Sequence, residues 1–142
     1  MSKRDITSAN SKTVLSCALI PAGLQFQGYA ADNAWTTEVV NAIEARMGAD
    51  GKASFGYTPV MQNITFHFSP DSDTIERLGY INQVQNTTKT PIICQLVIEL
   101  PALGKTIFLK NGCMVGSTYF PSAAKVLEPQ DVTFNFESVN II

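Results

Sequence analysis

His67 is the single histidine of the 142-residue chain, and Cys17, Cys94 and Cys113 are its three thiols. General acid–base chemistry would need His67 beside a nucleophile or a carboxylate pair. Its neighbours at strand spacing, Thr65 and Ser69, offer neither, so a surface or interface position is expected. The cysteines are odd in number and lack CxxC spacing, and with one histidine they form no zinc-type ligand set. They are expected to be reduced and packed in strands. Asp71, Asp73 and Glu76 gather negative charge without the spacing or glycine turn of a calcium loop; the positive end of a helix accounts for them. Gly48-Ala49-Asp50-Gly51-Lys52 has the glycines and lysine of a phosphate loop but neither its spacing nor a following helix, and reads as a hairpin tip. Asn63-Ile64-Thr65 and Asn86-Thr87-Thr88 fit a glycosylation pattern that carries no weight without a secretory signal. The expectation is therefore no enzyme, no cofactor and no metal.

The elements that would carry these residues are mostly strands. Residues 13–19 and 24–29 alternate around Pro21-Ala22-Gly23, suggesting a hairpin with its turn there. The loop from Ala30 to Trp35 holds the single tryptophan, an anchor in packing or at an interface. Thr37 to Tyr57 reads as a long two-faced hairpin reversing at Ala49-Asp50-Gly51, since Asp-Gly suits the positive φ of tight hairpins. Its oily face carries Val39, Ile43, Ala45, Met47, Ala53, Phe55 and Tyr57. Its wet face carries Glu38, Glu44, Arg46, Lys52 and Ser54. The rising strand also contains good helix formers, but Thr36, Thr37, Val39 and Val40 favour extended chain. The oily face should lie on the core, because a two-stranded ribbon is not stable alone in water.

Gln62 to Phe68 alternates with Ile64, Phe66 and Phe68 inward. Ser69-Pro70-Asp71-Ser72-Asp73 then signals a helix from about Asp71 to Gln85, with Ile75, Leu78, Ile81 and Val84 as its apolar stripe. Asn86 to Thr90 reads as a polar loop. Four further strands follow, over residues 92–100, 105–110, 112–120 and 132–139, with turns at Pro101-Ala102-Leu103-Gly104 and Asn111-Gly112. The last strand points Val132, Phe134 and Phe136 inward. The expected fold is mainly β: an antiparallel β-sandwich or partly closed barrel with one flanking α-helix and the long hairpin. Residues 1–12 read as a flexible arm and 13–142 as a single β domain.

A chain of this length buries close to about 70% of its unfolded surface and needs no staple. Only 15% of residues are charged and the formal net charge is −2. That is sparse for a soluble monomer, whose surface would hold roughly 25–35% charged residues, and it suggests coverage by neighbouring subunits. Basic residues are scattered singly beyond Lys3-Arg4, so tight DNA binding is not expected. With no membrane-span run and no apolar signal core, the chain is expected to fold in a cytoplasm.

The order of parts resembles the tail tube proteins of contractile-tailed bacteriophages, which share their fold type with the Hcp-like tubes of type VI secretion. The resemblance runs from about Ser11 to Ile142. Its clearest pieces are Ala49-Asp50-Gly51-Lys52, the run Phe66-His67-Phe68-Ser69-Pro70-Asp71-Ser72, the run from Glu99 to Lys105, and Pro121 to Pro129 before the phenylalanine alternation. It implies a structural virion protein that self-assembles into stacked hexameric rings, a tube for genome delivery inside a contractile sheath. It also implies partners: sister subunits, the sheath protein, baseplate and terminator proteins, and DNA passing without specific contact. The location it implies is the virion tail, assembled in the host cytoplasm. On that reading Glu38, Glu44, Arg46, Lys52 and Ser54 line the channel, and Trp35, Asp50, Gly51 and Pro121 contact neighbouring subunits or rings. Two alternatives remain open: another tail or tube subunit (terminator, baseplate or secretion tube), and a monomeric β-sandwich binding module.

Overall fold

Alternating aromatic side chains set the centre of the fold. In the computed structural model, which describes residues 11–30 and 34–142, Ile64, Phe66, Phe68, Val132, Phe134 and Phe136 are each at most 2% exposed. They lie on two strands paired in antiparallel register, with Ile64 opposite Phe134 and Phe66 opposite Val132. The arrangement stacks Phe134 on Phe136 with centroids 6.0 Å apart and sets Phe66 edge-on to Phe134 at the same separation. Each such ring pair contributes about 0.5–1.5 kcal/mol beyond its buried area.

In chain order the elements are β1 (Lys12–Cys17), β2 (Ile20–Gln25), β3 (Trp35–Thr37), β4 (Ile43–Met47), β5 (Ala53–Tyr57), β6 (Gln62–Phe68), α1 (Asp73–Thr88), β7 (Cys94–Leu100), β8 (Lys105–Ser117) and β9 (Gln130–Ile141). Seven strands form one antiparallel sheet in the order β2-β1-β7-β8-β9-β6-β3, and β4 with β5 forms a separate ribbon. The large sheet curls. Phe26, just past β2, donates its N–H to the Thr13 carbonyl, and three residues on Tyr29 bridges to Phe68 at the far side of the sheet. The Phe26 ring meets Phe66 at 4.9 Å and Phe68 at 5.4 Å. The result is a sandwich-like mainly β fold, with one helix among the described residues, not closed into a barrel.

Helix α1 covers the core with Ile75, Leu78 and Ile81. Ser72 caps it, accepting from the Thr74 N–H at 3.2 Å while its own hydroxyl donates to the Gln27 carbonyl at 2.6 Å. Thr74 Oγ1 accepts the Gln27 N–H at 2.9 Å, so the cap also fastens the crossing segment. Gly28 allows this approach: its φ is +72°, and a Cβ there would meet Ser72 at 2.7 Å. The expected helix from Asp71 to Gln85 is shifted, because Asp71 belongs to the preceding turn. Asn86 to Thr88, expected as loop, form its last turn, with Thr88 Oγ1 donating to the Val84 carbonyl at 2.8 Å.

Three other expectations are corrected. Pro21-Ala22-Gly23 does not reverse the chain. The reversal is at Ala18-Leu19, between paired Cys17 and Ile20, and Pro21 to Gly23 lie in β2 where the register shifts. Asn111-Gly112 is not a hairpin turn either: β8 runs through it as one 13-residue strand. Asn111 alone takes a positive φ of 54°, making a bulge where a primed hairpin turn would require two such residues. The segment 118–120, expected as strand, lies beyond the end of β8. The turn at Pro101 to Gly104 is as expected, with the Leu103 N–H bonded to the Leu100 carbonyl at 3.1 Å. The arm expected at 1–12 falls outside the described residues up to residue 10, and Lys12 already begins β1.

Gly112 on the bulged strand pairs with Phe136 of β9, and a Cβ there would overlap the Phe136 ring and the Asn135 carbonyl oxygen. Gly112→Ala is expected to lower stability by about 1–3 kcal/mol through overpacking. Gly56→Ala, at a strand position with nothing within 4 Å, should leave it nearly unchanged. Urea unfolding of both variants checks the difference.

Candidate functional site

The ribbon of β4 and β5 is built as expected at its tip and differently at its base. Gly48 N–H donates to the Lys52 carbonyl at 2.8 Å, Gly51 has φ +83°, and the Asp50 carboxylate accepts the Lys52 N–H at 3.1 Å. The pairs Ile43–Tyr57, Ala45–Phe55 and Met47–Ala53 alternate with Glu44–Gly56 and Arg46–Ser54. Since side chains alternate faces along a strand, one face is all apolar and the other polar.

That apolar face does not lie on the core. Ile43 is 58% exposed, Met47 71%, Phe55 72% and Tyr57 71%, and every residue of both strands is exposed. The base of the ribbon explains this. Pair Thr37–Ile64 closes the β3–β6 ladder and pair Ile43–Tyr57 opens the ribbon, with five residues (38–42) on one side and six (58–63) on the other. An unequal count cannot continue one register, and a one-residue slip exchanges faces. Pro59 adds a missing donor in the longer arm. The expected continuous hairpin from Thr37 is thus interrupted: Thr37 pairs with β6, while Glu38 and Val39 lie outside any ladder.

The residues expected to line a channel divide accordingly. Glu44, Arg46 and Ser54 share the polar face of the ribbon and flank a shallow hollow, Lys52 follows at the tip, and Glu38 stands apart in the irregular arm. Arg46 and Glu44 approach to 4.0 Å with both side chains largely in water, a contact that contributes little to stability. Asp50 and Gly51 occupy the exposed tip. Trp35 is half-buried and packs on Tyr29 and Phe66, with centroids 6.2 and 6.3 Å away, so its packing role is met within the fold. Pro121 lines a groove of about 600 Å³ between α1 and the segment after β8, with Ile75, Tyr80 and Phe120.

Pairing across strands creates contacts invisible in sequence spacing. His67 lies opposite Asp131, with Nδ1 2.6 Å from the carboxylate, and Thr36 Oγ1 is 3.4 Å from Nε2. Thr65 and Thr133 share a 3.1 Å hydrogen bond one rung along, and Asn63 faces Asn135 at the next. The order hydroxyl, imidazole, carboxylate has the look of a relay, yet it is the end rung of a polar ladder binding β3, β6 and β9, and the groove beside α1 lies elsewhere. The histidine's carboxylate partner was legible only through the pairing of β6 with β9.

The cysteines converge too. Cys17 is the register partner of Cys94, and Cys113 follows Gly112, the residue across from Cys94 on the other side. All three are free thiols. Burial, reinforced by Cys17 and then Cys113, pushes the Cys94 thiol from 9.0 up to about 12. Burial likewise raises the Tyr29 hydroxyl, opposed by Thr13.

The fold is similar to that of chains in solved contractile assemblies. One, from the sheath-tube complex of an extracellular contractile injection system, PVC, in its extended state, is 14% identical with a TM-score of 0.61, covering 97% of this chain and 91% of that one. A second, from the PVC sheath/tube terminator, is 13% identical at 0.60, covering 100% and 99%. A third, from the tube terminating cap of the anti-feeding prophage, is 13% identical at 0.56, covering 100% and 93%. At such identities the likeness is one of fold. No curated protein matches the sequence. The chain belongs to the tail fiber protein gp32 family, whose model it matches over residues 4–140. The family is thus one of tail proteins, and the expected resemblance to tail tube proteins holds at the level of a fold shared with chains of contractile assemblies.

Two outcomes follow from the geometry. In the dissociated monomer, Phe55→Ser combined with Tyr57→Ser should change unfolding stability by no more than about 0.5 kcal/mol, as for exposed sites. Phe66→Ala should cost about 3–5 kcal/mol, and urea unfolding separates the two. For Cys94, the unfolded chain loses the thiol proton near pH 9 whereas the folded chain keeps it to about 12. Stability is therefore fully held below pH 9 and falls as pH rises toward 12. Urea midpoints at about pH 8 and about pH 10 should show the loss, with a shallower slope in Cys94→Ala.

Proposed function

We propose that this protein is a ring-forming structural subunit on the tube axis of a contractile tail, and that the apolar face of β4–β5 is covered by the next copy in the ring. The observation that carries this reading is the contiguous face of Ile43, Met47, Phe55 and Tyr57, left in water by a chain that buries its other strand alternations. Exposed apolar patches of this kind mark association surfaces. A ring of copies would cover it and pair open strand edges until closure removes them. The sparse charge of the chain, 15% of residues, supports the same reading.

The ring would hold six copies around a central channel, a number suggested by the six-fold symmetry of the anti-feeding prophage baseplate, one of whose chains shares this fold. The polar face of the ribbon, Glu44, Arg46, Lys52 and Ser54, with Glu38 nearby, would then look into the channel. Its charges of both signs suit passage of DNA without retention, since dense lysine or arginine would hold phosphates with a Kd of roughly 10⁻⁴–10⁻⁶ M. Asp50 and Gly51 at the tip, Pro121 beside the α1 groove and the half-buried Trp35 would touch a neighbouring subunit or ring. The role is structural rather than catalytic.

Between a repeated tube subunit and a single ring at one position of the tail, the second is favoured. Solved chains of this fold come from a terminator, a terminating cap and a baseplate as well as a sheath-tube complex, and the family description is not that of a tube protein. Negative-stain microscopy of the purified protein should show rings with a central hole that do not stack into long tubes. Long tubes would restore the tube-subunit reading, and a monomer at every concentration would remove both. Met47→Asp with Phe55→Asp should abolish the rings while leaving a folded monomer by circular dichroism.

A further inference from the structure

Cys17 and Cys94 stand opposite each other where β1 ends and β7 begins. Register partners on antiparallel strands have Cα atoms about 4.5–5.5 Å apart, inside the roughly 4.4–6.8 Å that a disulfide spans. Both side chains lie on the core side of the sheet, by alternation with buried Leu15 on β1 and buried Leu96 on β7. Cys17 is half-buried at the edge of the core and Cys94 fully buried. Cys17 is therefore the thiol of the pair nearer to water, with Cys94 across the strand from it. Cys113 is placed differently, opposite Asn135 on the face away from the core.

We propose that Cys17 and Cys94 form an oxidative modification site, closing to an intrachain disulfide when the protein meets a low-molecular-weight disulfide such as oxidised glutathione. The Cys17 thiolate attacks one glutathione sulfur, the S–S bond breaks, and one glutathione thiolate leaves. The Cys94 thiolate then attacks the Cys17 sulfur of the mixed disulfide and expels the second glutathione thiolate. Two protein thiols are oxidised, one glutathione disulfide is reduced to two thiols, and the two protons pass to those leaving groups. The burial that holds the Cys94 proton, with Cys17 and Cys113 as the titratable groups acting on it, makes the second step slow near neutral pH. The bond would join the first strand to the strand after the helix, closing a long loop that contains the projecting ribbon, and would leave the ribbon's apolar face untouched. It is independent of the assembly reading and can be read on a protein that forms no rings.

The test incubates the purified full-length protein with oxidised glutathione and maps the products by non-reducing peptide mass spectrometry. A peptide linking Cys17 to Cys94 is expected, with Cys113 free after denaturation, and an unfolding equilibrium constant in urea lowered by on the order of a hundredfold. Closure of the mixed disulfide should accelerate about tenfold per pH unit while Cys94 remains below its titration. Cys113→Ser should oxidise as the parent does, and Cys17→Ser should leave Cys94 free. A stable glutathione adduct on Cys17 with Cys94 free, a Cys94–Cys113 link, or disulfides between chains would overturn the proposal.

Discussion

The antiparallel register of β6 with β9 is the constraint from which the rest of the molecule follows. With Ile64 opposite Phe134 and Phe66 opposite Val132, six large side chains fall on one face, and the polar ladder of Asn63–Asn135, Thr65–Thr133 and His67–Asp131 falls on the other. A slip of one residue would send the rings to water and the ladder to the core. The buried face must then be covered. The curl that brings Phe26 from the far side of the sheet covers part of it, and α1 covers more with Leu78 and Ile81. Ser72 and Thr74 join these solutions by gripping both backbone groups of Gln27.

The projecting ribbon is the same constraint viewed from its other end. β6 must stay in register with β9, and β3 pairs onto its free edge for only three residues. The unequal arms that follow break the ladder, so β4 and β5 leave the sheet rather than extend it. The fold thereby closes its core without using Ile43, Met47, Phe55 or Tyr57. For an isolated chain this is a cost, since a two-stranded ribbon has little to hold it in water. For a subunit it is a surface, and membership in a tail-protein family together with a fold found in contractile assemblies gives that surface a context.

The side chains best suited to chemistry are mostly absorbed into structure. His67 joins three strands through Asp131 and Thr36, and the acids near the start of α1 lie at its positive end. The thiols are the exception. Three strands bring them together without bonding them, and the pair at the ends of β1 and β7 stands in register with both thiols free.

Residue order alone determined the elements whose signals are local. Alternation in Gln62–Phe68 and Val132–Phe136, the cap at Ser72, the Asp50-Gly51 tip and the turn at Pro101 to Gly104 are each decided by a few neighbouring residues, and so is the division of the ribbon into an oily and a wet face. Tertiary structure decided what depends on counting residues between distant pairs. Asn111-Gly112 carries a turn's chemistry, but continuing pairs of β8 with β7 and β9 hold it as a bulge. The oily face of Phe55 and Tyr57 has a core residue's chemistry, but five residues on one arm and six on the other turn it to solvent. The meetings of His67 with Asp131 and of Cys17 with Cys94 join positions far apart in the chain. Periodicity says which way a side chain points relative to its own strand, whereas only strand pairing says what it faces.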